Sequence, residues 1–364
     1  MKKILVIAAA ALAFAACSKS EVFMTEPEAI SFNPYSLTTK ALIDGTIFPE
    51  TDSFKVYAFA DVDGKGLNFA TPLMDDVTIA YKSDWKASQG TYLWPATGTA
   101  DFYAYYPTSL NAVFDTLATP KGLKITGISL GDEIGKQIDP LVAATPSQIA
   151  KNKPIVSVVF KHITSQVVVA ARDVTKTKSL RGKIFISRVE FKNMKTSGDY
   201  AEGSTPGSGQ WSNVNTIKNF VPFTGSAIRL DTTENYLSAG SYINSLSGSA
   251  AFVVVPNTLM ASDSARIEVT YRTAPYQING FEYPAMSDTT VVIPLYGRLG
   301  NKVNNAFEAD NTFQNGRRYI FHLGLSMDGA NNEIMFAPSV SEWTNEDING
   351  ITIDAVNVGL LNQQ

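Results

Sequence analysis

Arg266-Ile-Glu-Val-Thr-Tyr-Arg272 puts Ile267, Val269 and Tyr271 on one side of an extended chain and Arg266, Glu268, Thr270 and Arg272 on the other. Side chains of a strand alternate between its two faces, so this stretch reads as a strand with one face buried and the other in water. Alternating or short apolar runs recur at residues 54–60, 100–106, 155–160, 167–171, 184–191, 251–255, 289–295 and 319–325. Between them gather Gly, Pro, Asn, Asp and Ser, which supply turn geometry. No amphipathic pattern three helical turns long interrupts the series. Many strands without crossover helices predict an all-β fold of antiparallel β-sandwiches.

The first sixteen residues have the three parts of an export signal: basic Lys2 and Lys3, an apolar run from Ile4 to Phe14, and small Ala15 and Ala16 before Cys17. Cys17 is the only cysteine among 364 residues, so no disulfide forms within one chain, and it stands where bacterial lipoproteins carry their acylated residue. Phe14 occupies a position where such signals usually have Leu. The expectation is therefore lipidation at Cys17 and tethering at a bacterial cell surface, with an ordinary cleaved signal as the alternative. Each buried methylene is worth about 0.8 kcal/mol, so two or three acyl chains anchor durably.

The residues beyond position 16 exceed what one hydrophobic core normally serves, which predicts two domains. Pro140, Pro146 and Pro154 crowd a short stretch between strand-rich halves. The expected division is a pro-segment or tether over 17–40, an N-terminal sandwich over 41–152, a C-terminal sandwich over 153–348 and a terminal strand over 349–364. Residues 195–215 are rich in Gly, Ser and Thr and read as a long surface loop holding Trp211. That indole either folds back on its own domain or stacks on a sugar or a partner.

A formal charge of −4 with scattered Lys and Arg gives no basic patch for nucleic acid. The two histidines, His162 and His322, are far apart in sequence and on different alternation phases, which gives no zinc signature and no expected cofactor. There is no Gly-x-Ser-x-Gly elbow, no phosphate-cradling loop and no Cys nucleophile paired with His. Asp61-Val-Asp63-Gly-Lys65-Gly66 starts like a calcium loop, but Lys65 brings a cation and Pro72 stands where a bidentate Glu is needed. A turn is the better reading there. Thirty-four acidic residues leave a glycosidase-type carboxylate pair open without favouring any two. No enzyme is expected.

Trp85-Lys-Ala-Ser-Gln-Gly-Thr-Tyr92-Leu-Trp94-Pro95, followed by Phe102-Tyr-Ala-Tyr-Tyr-Pro107, resembles the fimbrillin family, the Mfa-like type V pilins of Gram-negative outer membranes. Asp139-Pro-Leu-Val-Ala143, Val156-Ser-Val-Val-Phe160-Lys-His162, Ile334-Met-Phe336 and Val340-Ser-Glu-Trp343 resemble further family segments in the same order. The resemblance implies two tandem transthyretin-like sandwiches and a structural subunit of a pilus that contributes to cell adhesion. It also implies assembly by donor-strand exchange: a lipidated precursor is cut by a trypsin-like surface protease, its first strand leaves, and a strand of another pilin subunit fills the gap. Ile30 and Phe32 mark the strand that would be lost, and Lys40-Ala41 in Thr38-Thr-Lys-Ala41 matches the family's Thr-Arg-Ala site with Lys for Arg. Ile351 and Ile353, then after a phase change Val356, Val358 and Leu360, mark the strand that would be donated. The competing readings are an unprocessed tether at one end and an ordinary last strand at the other. The implied partners are other subunits, the protease, the outer membrane through its lipid anchor, and a receptor on a host or bacterial surface. A second function class is a monomeric surface lipoprotein or tip adhesin binding glycan or host protein through loops such as that of Trp211.

Overall fold

The computed structural model describes residues 28–36, 48–152, 154–230, 251–303, 306–328 and 334–342. The chain first forms β1 (Phe32–Ser36), β2 (Ser53–Asp61), β3 (Met74–Tyr81), β4 (Trp85–Ala87), β5 (Thr99–Tyr106), β6 (Asn111–Asp115), β7 (Gly122–Ser129), β8 (Leu141–Ile149) and β9 (Val156–His162). It continues with β10 (Ser165–Asp173), β11 (Ile184–Ala201), β12 (Gln210–Arg229), β13 (Phe252–Val254), β14 (Arg266–Thr273), β15 (Tyr276–Ile278) and β16 (Phe281–Tyr283). The last strands are β17 (Met286–Pro294), β18 (Gly300–Val303), β19 (Ala306–Ala309), β20 (Arg317–Leu325) and β21 (Ile334–Glu342). The only helical segments among the described residues are single 3-10 turns. The protein is all-β.

Seven strands in the order β1-β4-β3-β2-β5-β8-β9 close into a barrel. Its interior holds Phe32, Phe48, Phe54, Phe102 and Phe160 with Trp85 and Trp94. A second unit stacks the four-stranded sheet β13-β10-β20-β21 on the sheet β17-β14-β11-β7-β6, with β12 paired to β11. Val167, Val169, Phe191, Ile267, Val269 and Phe321 lie between these two sheets. The alternation of Arg266 to Arg272 is the cause on β14: Ile267, Val269 and Tyr271 are buried, while Arg266, Glu268 and Thr270 sit at an outer face.

Three features differ from the sequence expectation. First, the expected division at residue 152 falls between β8 and β9, and both lie in the barrel; the chain leaves it after His162. Pro146 is within β8, in the half whose residues are mostly exposed, where a missing amide is tolerated. Second, the β6–β7 hairpin, early in the chain, joins the sheet of the second unit by pairing β7 with the end of β11, as in Ser197↔Ser129 and Ala201↔Lys124. Third, residues 195–215 are not a long loop. Strands β11 and β12 run through them, and Met194, Thr196, Gly198 and Tyr200 point inward in strict alternation. The Gly, Ser and Thr content reflects bulges, with register shifts at Phe191/Met194 and Ser197/Asp199, rather than a break in pairing.

Candidate assembly site

β1 occupies a distinctive position. It pairs in parallel with β9 from Phe32↔Val156 to Ser36↔Phe160, and antiparallel with β4 at Phe32↔Trp85. It is therefore the strand through which β4 and β9 are joined, and the barrel is closed by it. The segment before it continues the pairing: Ala29 bridges Leu93, the Ile30 amide donates to the Tyr92 carbonyl at 2.8 Å, and the Trp94 amide donates to Glu28 at 3.0 Å. Ile30 and Phe32 are 2% and 3% exposed. The Phe32 ring meets Phe54 and Phe102 edge-on at 6.0 and 5.8 Å. Such pairs add roughly 0.5–1.5 kcal/mol beyond area burial.

At the other end of β9 the chain passes into the second unit through a buried polar knot. His162 Nδ1 lies 2.7 Å from Asp139 Oδ2, both almost fully buried, and Thr164 Oγ1 donates to Asp139 Oδ1 at 3.1 Å. Nearby, the Gln137 side-chain amide donates to the Val253 carbonyl at 2.9 Å and accepts from the Val253 amide at 2.8 Å. It thus serves β13 as a neighbouring strand would. The turn between β11 and β12 is tied to the same place. Trp211 Nε1 donates to the Ile163 carbonyl at 2.9 Å and to Asn315 Oδ1 at 3.1 Å, and Asn315 Nδ2 donates to the carbonyls of Gly207 and Gly209. Gly209 is required there, because a Cβ would strike the Ala201 carbonyl and the Tyr200 ring.

Glu202 completes this network. Its Oε1 accepts from Tyr200 Oη at 3.0 Å and from the amides of Gly203 and Gly207 at 3.2 and 3.0 Å. Burial outweighs these three donors and lifts the carboxyl to about 7. Tyr200, buried beside it, has its phenol pushed well above the usual range, first by desolvation and then by the Glu202 charge.

A family model described as fimbrillin-like matches residues 39–343. The chain belongs to the fimbrillin-like family. Such membership points to a structural, non-enzymatic protein located at the cell surface or in a pilus. Among solved structures, this fimbrillin-like chain is similar to a fimbrial protein from Bacteroides vulgatus at 16% identity and a TM-score of 0.53, over 87% of this chain and 99% of that one. It is also similar to the tip fimbrial protein Mfa3 from Porphyromonas gingivalis with C-terminal truncation, at 12% identity and a TM-score of 0.38, over 86% and 99%. No curated protein matches it.

Of the residues singled out from the fimbrillin-like sequence, Ile30 and Phe32 come together inside the barrel. Trp211 is half-buried, with its ring 5.5 Å from Tyr200, so its indole is engaged with its own fold. Cys17, Lys40, Ala41, Ile351, Ile353, Val356, Val358 and Leu360 lie outside the described residues. Asp61 makes a turn, accepting the Gly64 amide at 2.8 Å, and among the described residues no group of three His, Cys, Asp or Glu side chains could hold a metal. The Asp139–His162–Thr164 knot and the Glu202 turn were not singled out from the sequence. Asp139 lies 25 positions before Thr164, and Glu202 sits in a stretch read as loop.

Proposed function

We propose that the chain is the precursor of a fimbrial subunit, tethered through Cys17 until cleavage, in which removal of the first strand opens the barrel for a strand of another subunit. The observation that carries this reading is the position of β1 as the element that joins β4 to β9. Without it the barrel becomes a sheet with two unpaired edges and an uncovered floor of Phe54, Phe102, Val156 and Val158. An exposed edge recruits another strand, with main-chain hydrogen bonds giving affinity and alternate pockets giving register.

Lys40 stands four residues past Ser36, the last residue of β1, so cleavage at Lys40-Ala41 would leave β1 held only by non-covalent contacts. The terminal alternation of Ile351, Ile353, Val356, Val358 and Leu360 supplies apolar side chains for the vacated pockets. Five such side chains contribute about 8–15 kcal/mol on burial. Ordering ten backbone residues costs a similar 10–20 kcal/mol, so the edge hydrogen bonds decide the balance.

The test is Lys40→Ala on cells. Unprocessed, lipid-bound monomer is expected, seen as the absence of a high-mass ladder after surface extraction and of an N-terminus at Ala41 by mass spectrometry. A ladder of parental length from that variant would remove cleavage from the mechanism. Deleting residues 351–364 is expected to stop growth beyond one subunit.

A further inference from the structure

We infer that the β15–β16 hairpin is a docking arm for a second copy of this chain, and that its seat is the apolar rim of the barrel end remote from the junction. The inference deepens the polymer reading by adding a contact that strand donation does not supply.

The arm turns tightly at Asn279-Gly280, both at positive φ, in the pairing Ile278↔Phe281 and Tyr276↔Tyr283. That register places Tyr276, Ile278, Phe281 and Tyr283 on one face and Gln277 with Glu282 on the other. Tyr276 packs against the core of the second unit, and Tyr283 stacks on it at 4.9 Å. Further out the apolar face is uncovered: Phe281 is 71% exposed, Tyr283 41% and Ile278 36%. The arm follows the end of β14, where Thr273 pairs with Ile184, and this is the sandwich end furthest from the junction at Ile163.

The barrel also has an end remote from the junction, where β2 finishes and β5 begins, in the pairing Asp61↔Thr99↔Ile149. Four apolar side chains are exposed there: Val62 at 54%, Leu93 at 40%, Ile149 at 46% and Ile155 at 63%. Their backbones are held close. Thr97 Oγ1 donates to the Val62 carbonyl at 3.3 Å, Ala150 donates to Gly98 at 3.0 Å, and the residues beside Leu93 and Ile155 pair with residues 28–31.

Charge selects the partner. The sandwich end that bears the arm exposes Lys176, Lys178, Arg181, Arg229 and Arg272, against Glu282, Asp288 and a half-buried Asp328 that accepts the Lys176 and Thr177 amides. The barrel end carries Glu28, Asp61 and Asp63, with Lys65 already paired to Asp63 at 2.9 Å and Lys151 beside them. Among the described residues the arm end has a basic excess and the barrel end a slight acidic one, three acids to two bases, so apolar meets apolar and opposite excess charges meet only when the arm end of one copy faces the barrel end of the next. Two different patches at the two remote ends give a heterologous contact, which propagates along a line instead of closing a dimer.

The experiment places the photo-crosslinker p-benzoylphenylalanine at Phe281 in the full chain and mixes isotopically heavy and light protein before irradiation. Heavy–light adducts on peptides carrying Val62, Leu93, Ile149 or Ile155 are expected, in processed and unprocessed protein alike. Ile149→Lys, at an exposed position, removes an apolar rim contact and sets a cation against the basic arm end, and is expected to lower their yield about tenfold or more. Adducts confined to one copy, adducts elsewhere on a second copy, or no adducts would overturn the arm. A polymer ladder without rim adducts would leave strand donation standing while removing the arm. Rim adducts without any ladder in the parent would do the reverse.

Discussion

Glu202 and His322 pull the pH dependence of stability in opposite directions. Burial raises Glu202 from 4.5 to about 7, so the fold prefers the protonated acid. That contribution is complete below pH 4.5 and is lost as pH rises through 7. Burial, reinforced by the Arg172 charge, lowers His322 from 6.5 to about 4, so the fold prefers the neutral ring. That contribution is complete above pH 6.5 and is lost as pH falls through 4. Between pH 4.5 and 6.5 the two nearly cancel, and the parent protein should be close to flat. Glu202→Gln removes one of the two opposing slopes. Its stability is expected to rise by about 2 kcal/mol from pH 4.5 to 6.5, read from urea midpoints at several pH values. A profile parallel to the parent's would show that the Glu202 carboxyl titrates alike in the folded and unfolded states.

At the scale of the element, β1 must be both necessary to the barrel and separable from it. Phe32 tests the first half, since its ring is nearly inaccessible and touches Phe54 and Phe102. Truncating such a side chain costs about 3–5 kcal/mol, because transfer energy and a residual cavity add. Phe32→Ala is expected to lower barrel stability by that amount in guanidinium unfolding. A loss under about 1 kcal/mol would mean that β1 contributes too little for its removal to open anything. The elements that were legible in the sequence are those with a strict alternation, such as β14, or a dense apolar run, such as β2, β5 and β20. What alternation cannot report is which strands become neighbours. The parallel pairs β1 with β9 and β10 with β20 join residues more than a hundred positions apart, so nothing local encodes them. The same limit hid the β6–β7 hairpin's place in the second unit: its strands were not among those read from the sequence, and β7 pairs with β11 residues far along the chain. In β12, bulges and the positive-φ residues Asn213 and Thr216 broke the period-two signal that strand recognition depends on.

The whole molecule is knit by a third core that belongs to neither unit alone. Tyr57, Phe59, Tyr105 and Val142 on the outside of the barrel pack with Leu123, Ile125, Tyr200, Val253 and Val255 of the second unit. Phe114 of β6 lies 4.5 Å from Phe59 and 4.6 Å from Tyr103, and the Tyr57 hydroxyl donates to the Ala112 carbonyl at 3.0 Å. Units joined by small polar contacts move and melt separately, whereas a large apolar contact couples them. Here Ile125, Val253 and Val255 are completely inaccessible, as deep as any residue of the two main cores. The unpaired surfaces left by unfolding one unit would therefore burden the other, and calorimetry of the parent is expected to show a single transition. Ile125→Asp puts a carboxylate into that shared core, where an unpaired charge costs several kcal/mol. Because Ile125 lies in neither main core, the barrel around Phe54 and the sandwich around Phe191 should both survive, and the transition should split in two. Two separate transitions in the parent would show that the shared core does not couple the units, and a subunit of that kind would flex at Ile163 under load instead of passing force from one end to the other.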